Sequence, residues 1–226
     1  MKKIGYFIIC LFLLVGCQKE ETKKVSSSID TIEYSELKTY FDKFQCGDII
    51  NLENTHYLSN LAIPGKWKHT LIYLGSIEQV KQVVQENSQY YQKIIDKYKN
   101  GDEILVLDAN STGVKIRLFT DMANLAEKSY LKALACYRLK KDNTFIQSFI
   151  EKAMDYYNTP YDFEMDTSND SALYCSELIY CSLLKNNIEL TQFSKVLEYQ
   201  VITPTDLITE LEDKNLIENI VVLENE

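Results

Sequence analysis

Tyr174-Cys175-Ser176-Glu177-Leu178-Ile179-Tyr180 is an apolar, helically spaced stretch with a cysteine near its front. Ahead of it, Asn169-Asp170-Ser171 is a cluster of the residue types that cap helices. The pattern predicts a helix over residues 172–184 with Cys175 in its first turns. Unpaired backbone N–H groups and the helix dipole at that end favour a thiolate over a thiol, as a nucleophile requires. On spacing alone, a cysteine packed as a small hydrophobe is the commoner explanation.

Upstream of this helix the pattern changes to short strands. Gly47-Asp48 turns into Ile49-Ile50-Asn51-Leu52, and residues 53–66, with Pro64 and Gly65, form a loop. Thr70-Leu71-Ile72-Tyr73-Leu74 is β-rich and stops at Gly75, which puts His69 at the mouth of a strand. Residues 103–108 form another strand, ending at Asp108 before the turn Asn110-Ser111-Thr112-Gly113. Val114-Lys115-Ile116-Arg117-Leu118 then alternates apolar and basic, as a half-buried strand does. With residues 131–139 these predict a β-hairpin followed by an adjacent strand in a small antiparallel sheet. Helices are expected over residues 34–44, over most of 77–99, from 145 to before Pro160, and from Thr203-Pro204 onward. Residues 217–223 form a final strand. The tally is α+β, with no internal repeat. Taken singly, His69 reads as a satisfied histidine and Asp108 as a residue that begins a turn.

The order of the motifs carries more than any one of them. Gly47-Asp48, then Lys68-His69-Thr70 through Gly75, then Leu107-Asp108-Ala109, then Pro160-Tyr161-Asp162, then Tyr174-Cys175-Ser176-Glu177-Leu178 resembles the permuted NlpC-type papain-like cysteine hydrolases, the YiiX/YaeF-like group. The resemblance spans about residues 44–184, with a weaker echo at Pro204-Thr205-Asp206-Leu207. It implies a circularly permuted papain-like fold, with a small antiparallel sheet or partial barrel packed against helices. It also implies Cys175 as nucleophile, His69 as general base and Asp108 as the carboxylate that orients the histidine. The backbone N–H of Cys175 becomes an oxyanion donor. Asn110 is a fallback orienter, while Tyr161, Asp162, Ser176 and Glu177 match the motif as structural residues. Two features depart from the family pattern: its carboxylate is often Glu, and the connection over residues 76–102 is long.

Three functions follow from this resemblance. One is a cysteine amidase or peptidase acting on a small amide, a peptide or an acylated molecule. Another is a thioester-forming acyltransferase or lipid esterase using the same residues, and the last is a non-catalytic binding lipoprotein. No cofactor is implied. A zinc site is weak, because beyond the leader there are only His56 and His69 and no CxxC pair. Cys46 with Cys136 is a conceivable disulfide without support, and Cys175 and Cys181 stand on different helix faces.

Composition narrows the partners. Lys and Arg total 24 against 33 Asp and Glu, and only Arg117 and Arg138 are Arg. An acidic chain with no basic block is not built to bind nucleic acid. Met1-Lys2-Lys3, the apolar run Ile4–Val15 and Leu14-Val15-Gly16-Cys17 form an export signal over residues 1–16 that ends in a lipobox-like motif. Cys17 is the expected lipidation site, residues 17–32 a flexible tether, and residues 33–226 the hydrolase domain. The expected location is the cell envelope, on a membrane through the lipid. Gln18 in place of Asp leans toward the outer membrane. Oligomeric state is not legible.

Overall fold

The computed structural model describes residues 31–55, 63–196 and 198–224. Eight strands are present among them: β1 Ile49–Asn54, β2 His69–Gly75, β3 Leu105–Asn110, β4 Gly113–Leu118, β5 Leu131–Leu139, β6 Ser194–Val196, β7 Tyr199–Val201 and β8 Ile217–Glu224. The helices are α1 Tyr34–Leu37, α2 Ile77–Val83, α3 Tyr91–Ile95, α4 Asn143–Met154, α5 Cys175–Leu184 and α6 Pro204–Asp213. Six strands form one antiparallel sheet in the order β4-β3-β2-β1-β5-β8, and β6 and β7 form a separate hairpin.

Alternate residues of β1, β2, β3 and β5 serve two cores. Ile49, Ile72, Leu107 and Ala135 face the layer that contains α4, α5 and α6. Ile50, Leu71, Tyr73, Val106 and Leu134 face the opposite layer, which Ile32, Leu37, Phe44 and Phe119 close. Tyr73 is wedged edge-on between Phe44 and Phe119, with ring centroids 5.5 and 6.0 Å away. Such pairs add about 0.5–1.5 kcal/mol each beyond area burial. The entry to β1 is fixed by the buried Asp48 carboxylate, which accepts from Arg138 Nε at 2.9 Å and Nη2 at 2.8 Å across the sheet. Just before it, Gly47 has φ +95°, and a Cβ there would lie 2.2 Å from Ile146 Cγ2, so only glycine fits.

The α+β class, the antiparallel sheet and the β3–β4 hairpin are as expected; several details differ. β5 is not beside β4. The 3-10 segment Phe119–Asn124 carries the chain beneath the sheet, burying Phe119 and Met122, so that β5 pairs with β1 and β8. The single helix expected over most of 77–99 is two short ones. α2 starts with a Ser76–Gln79 capping box, and the chain leaves helical geometry at Val84. Ser88, whose hydroxyl accepts from Tyr90 N–H, then makes a turn before α3. The first helix ends at Leu37 and tightens into a 3-10 turn over Lys38–Tyr40. That turn brings both Phe41 and Phe44 onto Tyr73. Ile32, assigned to the tether, is buried, and its N–H donates to Leu131 O at 2.7 Å, so the folded unit includes it. Residues 1–30, where the expected signal over 1–16, Cys17 and most of the expected tether fall, lie outside the described residues, as does His56. Cys46, Cys136, Cys175 and Cys181 are all free thiols.

Candidate active site

α5 begins at Cys175 itself, three residues later than the capping cluster suggests. Asn169 Oδ1 is used locally, accepting from Ser171 N–H at 3.1 Å. Leu173 N–H donates to Pro160 O at 3.0 Å, which holds the chain extended up to Tyr174. Glu177 then reaches back to accept from Tyr174 N–H. Cys175 is thus the first helical residue, with no helix carbonyl placed to accept its N–H. Its neighbours clamp one residue, Ile202, at both its N–H and its carbonyl. Ile202 N–H donates to Tyr174 Oη at 3.0 Å, and Ser176 Oγ donates to Ile202 O at 2.7 Å.

α5 packs across β2 and β3, the strands that carry the other two residues. His69 is the first residue of β2, opposite Leu52 of β1. Asp108, fully buried on β3, places Oδ1 2.7 Å from His69 Nε2. Cys175 lies close enough to the same ring for its charge to act on it; with Nε2 taken by Asp108, Nδ1 is the nitrogen left for the thiol. Burial alone would pull the His69 pKa down. The charges of Asp108 and Cys175 and the Asp108 hydrogen bond outweigh it, holding the imidazolium well above the usual histidine range. The three residues singled out in the sequence therefore converge on one imidazole.

A cavity of about 320 Å³ adjoins His69 and Asp108, walled by Leu52, Ile63, Met122, Tyr161 and Phe163. Ile63 also lines a narrow apolar crevice that contains Cys175, Met165, Val196 and Ile202. Cys175 itself is only 2% exposed. Phe163 is 74% exposed and packs edge-on against Tyr161, with ring centroids 5.0 Å apart. Tyr161, expected as structural, thus faces the site. Burial raises its phenol pKa, with the charges of Cys175 and Asp108 adding to the rise.

Asp162, Ser176 and Glu177 are structural as expected; Asp162 accepts from the N–H groups of Glu164 and Asp166. Asn110 is not an orienter, because its Oδ1 accepts from Arg117 Nη2 and from Thr112. Arg117 is the residue missed. Alternation put it on an exposed face, yet its side chain is only 11% exposed, with Nη1 3.7 Å from Asp108 Oδ2. The usable signal was the hairpin itself, since a residue two beyond the cross-strand partner is a diagonal neighbour.

A sheet whose adjacent strands supply histidine and carboxylate, capped by a helix that starts at a cysteine, is the apparatus of a papain-like cysteine hydrolase. Here the cysteine comes last in the chain, so the order is permuted. The family model for permuted papain-like amidase enzymes of the YaeF/YiiX type, peptidase family C92, matches residues 43–217, and the chain belongs to that family. It is accordingly a cysteine amidase/peptidase-type enzyme. A solved structure described as the metalloprotein yiiX from Escherichia coli O157:H7 shares the fold. Its TM-score is 0.57 at 16% identity, covering 81% of this chain and 99% of that one. A comparison with curated proteins gives no match.

The word metalloprotein belongs to that neighbour. Among the described residues no three His, Cys, Asp or Glu side chains are grouped to hold a metal ion. His69, the one described histidine, has Nε2 committed to Asp108. The described donors do not fit a protein-held ion, which takes three or four ligands.

Proposed function

We propose that the protein is a membrane-anchored amidase in which Cys175 attacks the carbonyl of a small amide, a peptide or an acylated molecule. The observation that carries this reading is His69 bonded to Asp108 Oδ1 at 2.7 Å, with Cys175, the first residue of a helix packed across β2 and β3, near enough to act on the same ring. The Cys175 proton passes to His69 Nδ1, and Asp108 keeps the ring aligned and balances its charge. Thiolate attack converts the carbonyl to a tetrahedral oxyanion, for which the Cys175 N–H at the helix start is a donor. His69 returns the proton to the leaving amine, and water then releases the acyl group from sulfur. A substrate lying in the cavity would present its carbonyl past Ile63, the wall shared with the Cys175 crevice. Lipidation of Cys17, supported by the Leu14-Val15-Gly16-Cys17 motif, would keep this chemistry beside a membrane.

The test is to incubate the purified protein with N-acyl amides, peptides and acyl esters, then locate the acyl adduct by peptide mass spectrometry. We expect an adduct on Cys175 and none in Cys175→Ala, whose turnover should fall by at least about 10³-fold. Turnover that persists in Cys175→Ala would overturn the reading. Repeating the assay with an added amine or alcohol separates hydrolysis from acyl transfer, because an acceptor used by a transferase appears in the product.

A further inference from the structure

The Asp108 carboxylate is held unevenly. Oδ1 meets His69 Nε2, whereas Oδ2 is buried without a hydrogen-bond partner and has only the charge of Arg117 at 3.7 Å. Arg117 is on β4, two residues beyond Lys115, the register partner of Asp108. Its Nη1 donates to the backbone carbonyl of Asp108 at 2.9 Å and to that of Lys115 at 3.2 Å. Nη2 donates to Asn110 Oδ1 at 2.6 Å, Thr112 Oγ1 at 2.6 Å and Gly113 O at 2.9 Å. Five acceptors of the β3–β4 hairpin share the four Nη hydrogens, leaving this guanidinium no freedom to swing into solvent.

We propose that Arg117 is a positioning residue of the active site, holding Asp108 with Oδ1 toward His69 and supplying the second positive charge of the reactive set. This rests on the reading of Cys175, His69 and Asp108 given above. Moving the proton from sulfur to imidazole turns a neutral pair into thiolate and imidazolium. With the Asp108 carboxylate, two anions then face one cation in a site largely closed to water. Buried charge without a counter-charge is costly, and Arg117 makes the balance two to two. The other ionisable groups around Asp108 do not fill that role. Tyr161, from the loop after α4, is a phenol whose proton is held by burial. Lys115, opposite Asp108 on β4, is turned to Asn158 Oδ1 at 3.0 Å. Lys68, before β2, is tied to the carbonyls of Ile63 and Gly65, and Asp121, in the 3-10 segment, carries the wrong sign.

The experiment is alkylation of the full-length chain with iodoacetamide across pH 4–9, read by peptide mass spectrometry, with NMR titration of the His69 ring. Removing a nearby positive charge raises the pKa of every neighbour. In Arg117→Gln the acid limb of Cys175 alkylation should therefore move up by roughly half a pH unit to one unit, and His69 should keep its proton to higher pH. Arg117→Lys, which keeps the charge but not the fork of bonds, should restore most of both limbs. Asn110→Ala loosens the turn without touching charge, so it should lower Tm and leave both limbs in place. Unshifted limbs in Arg117→Gln overturn the proposal, as do equal shifts in the Lys and Ala variants. Wild type and His69→Ala run alongside. If Cys175 shows no His69-dependent reactivity even in wild type, the catalytic reading fails and the role of Arg117 goes with it.

Discussion

At the scale of the residue, the site depends on what surrounds one imidazole. Asp108→Asn keeps the shape, yet an amide can offer His69 an N–H where the carboxylate accepted, and it brings no charge. We expect kcat/KM to fall by about 10²–10⁴-fold with the fold retained, checked by circular dichroism beside the kinetics. The pH dependence has a definite sign. The folded pKa of His69 lies above its unfolded value, so its stabilising contribution is complete below pH 6.5 and is lost as pH rises through the folded pKa. Asp108→Asn removes a main cause of that rise, so the ring should lose its proton at lower pH. The residues of this set were legible because five short motifs stand in a recognisable order, not because any one has unusual chemistry. Arg117 escaped because alternation along a strand cannot tell a solvated face from one turned into a hairpin's own carboxylate.

The next scale is the element. α5 carries the nucleophile, and its first turn holds Glu177, a carboxyl buried at the third helical position. Burial pushes its pKa up to about 8, with the negative charges of Asp162, Asp166 and Asp170 adding to the rise and the hydrogen bond from Tyr174 N–H opposing it. A raised folded pKa means that the protonated form fits the fold. The stabilisation is complete below the unfolded value of 4.5 and is lost as pH climbs through about 8. Glu177→Gln has no proton to lose, so its Tm relative to wild type should improve steadily from pH 5 to pH 8. A gap of about 1 kcal/mol would appear as roughly 2–4 °C. A gap that is flat with pH would mean that Glu177 is already ionised in the native protein. Elements were legible where their cause is local, as in the alternation of β4 or the Thr203-Pro204 start of α6. The start of α5 was not, since it is set by the bond from Leu173 to Pro160 O. Nor was the place of β5, which depends on pairing with β1 some eighty residues upstream.

The whole molecule is acidic, with a formal charge of −9, and among the described residues no helix is long and apolar enough to cross a membrane. If Cys17 carries the anchor, the link to the fold runs only from Gln18 to Ile32, where the chain is pinned to Leu131. A link of that length, fully extended, reaches about 50 Å, so the active site would sample a thin layer beside the bilayer. Confinement of that kind raises the effective concentration of a membrane-borne substrate and leaves a soluble one unaffected. Cys17→Ser should therefore move the protein from the membrane fraction to the soluble fraction, with Tm and Cys175 alkylation unchanged. Its kcat/KM on a water-soluble amide should equal that of wild type. On an amide of the same reacting group held in vesicles by an acyl tail it should fall by about tenfold or more, toward the value for encounter from bulk solution. Loss of activity on both substrates would place the segment around Cys17 in the fold or the site. Equal activity on both, with the protein still in the membrane fraction, would mean that something other than Cys17 holds it there.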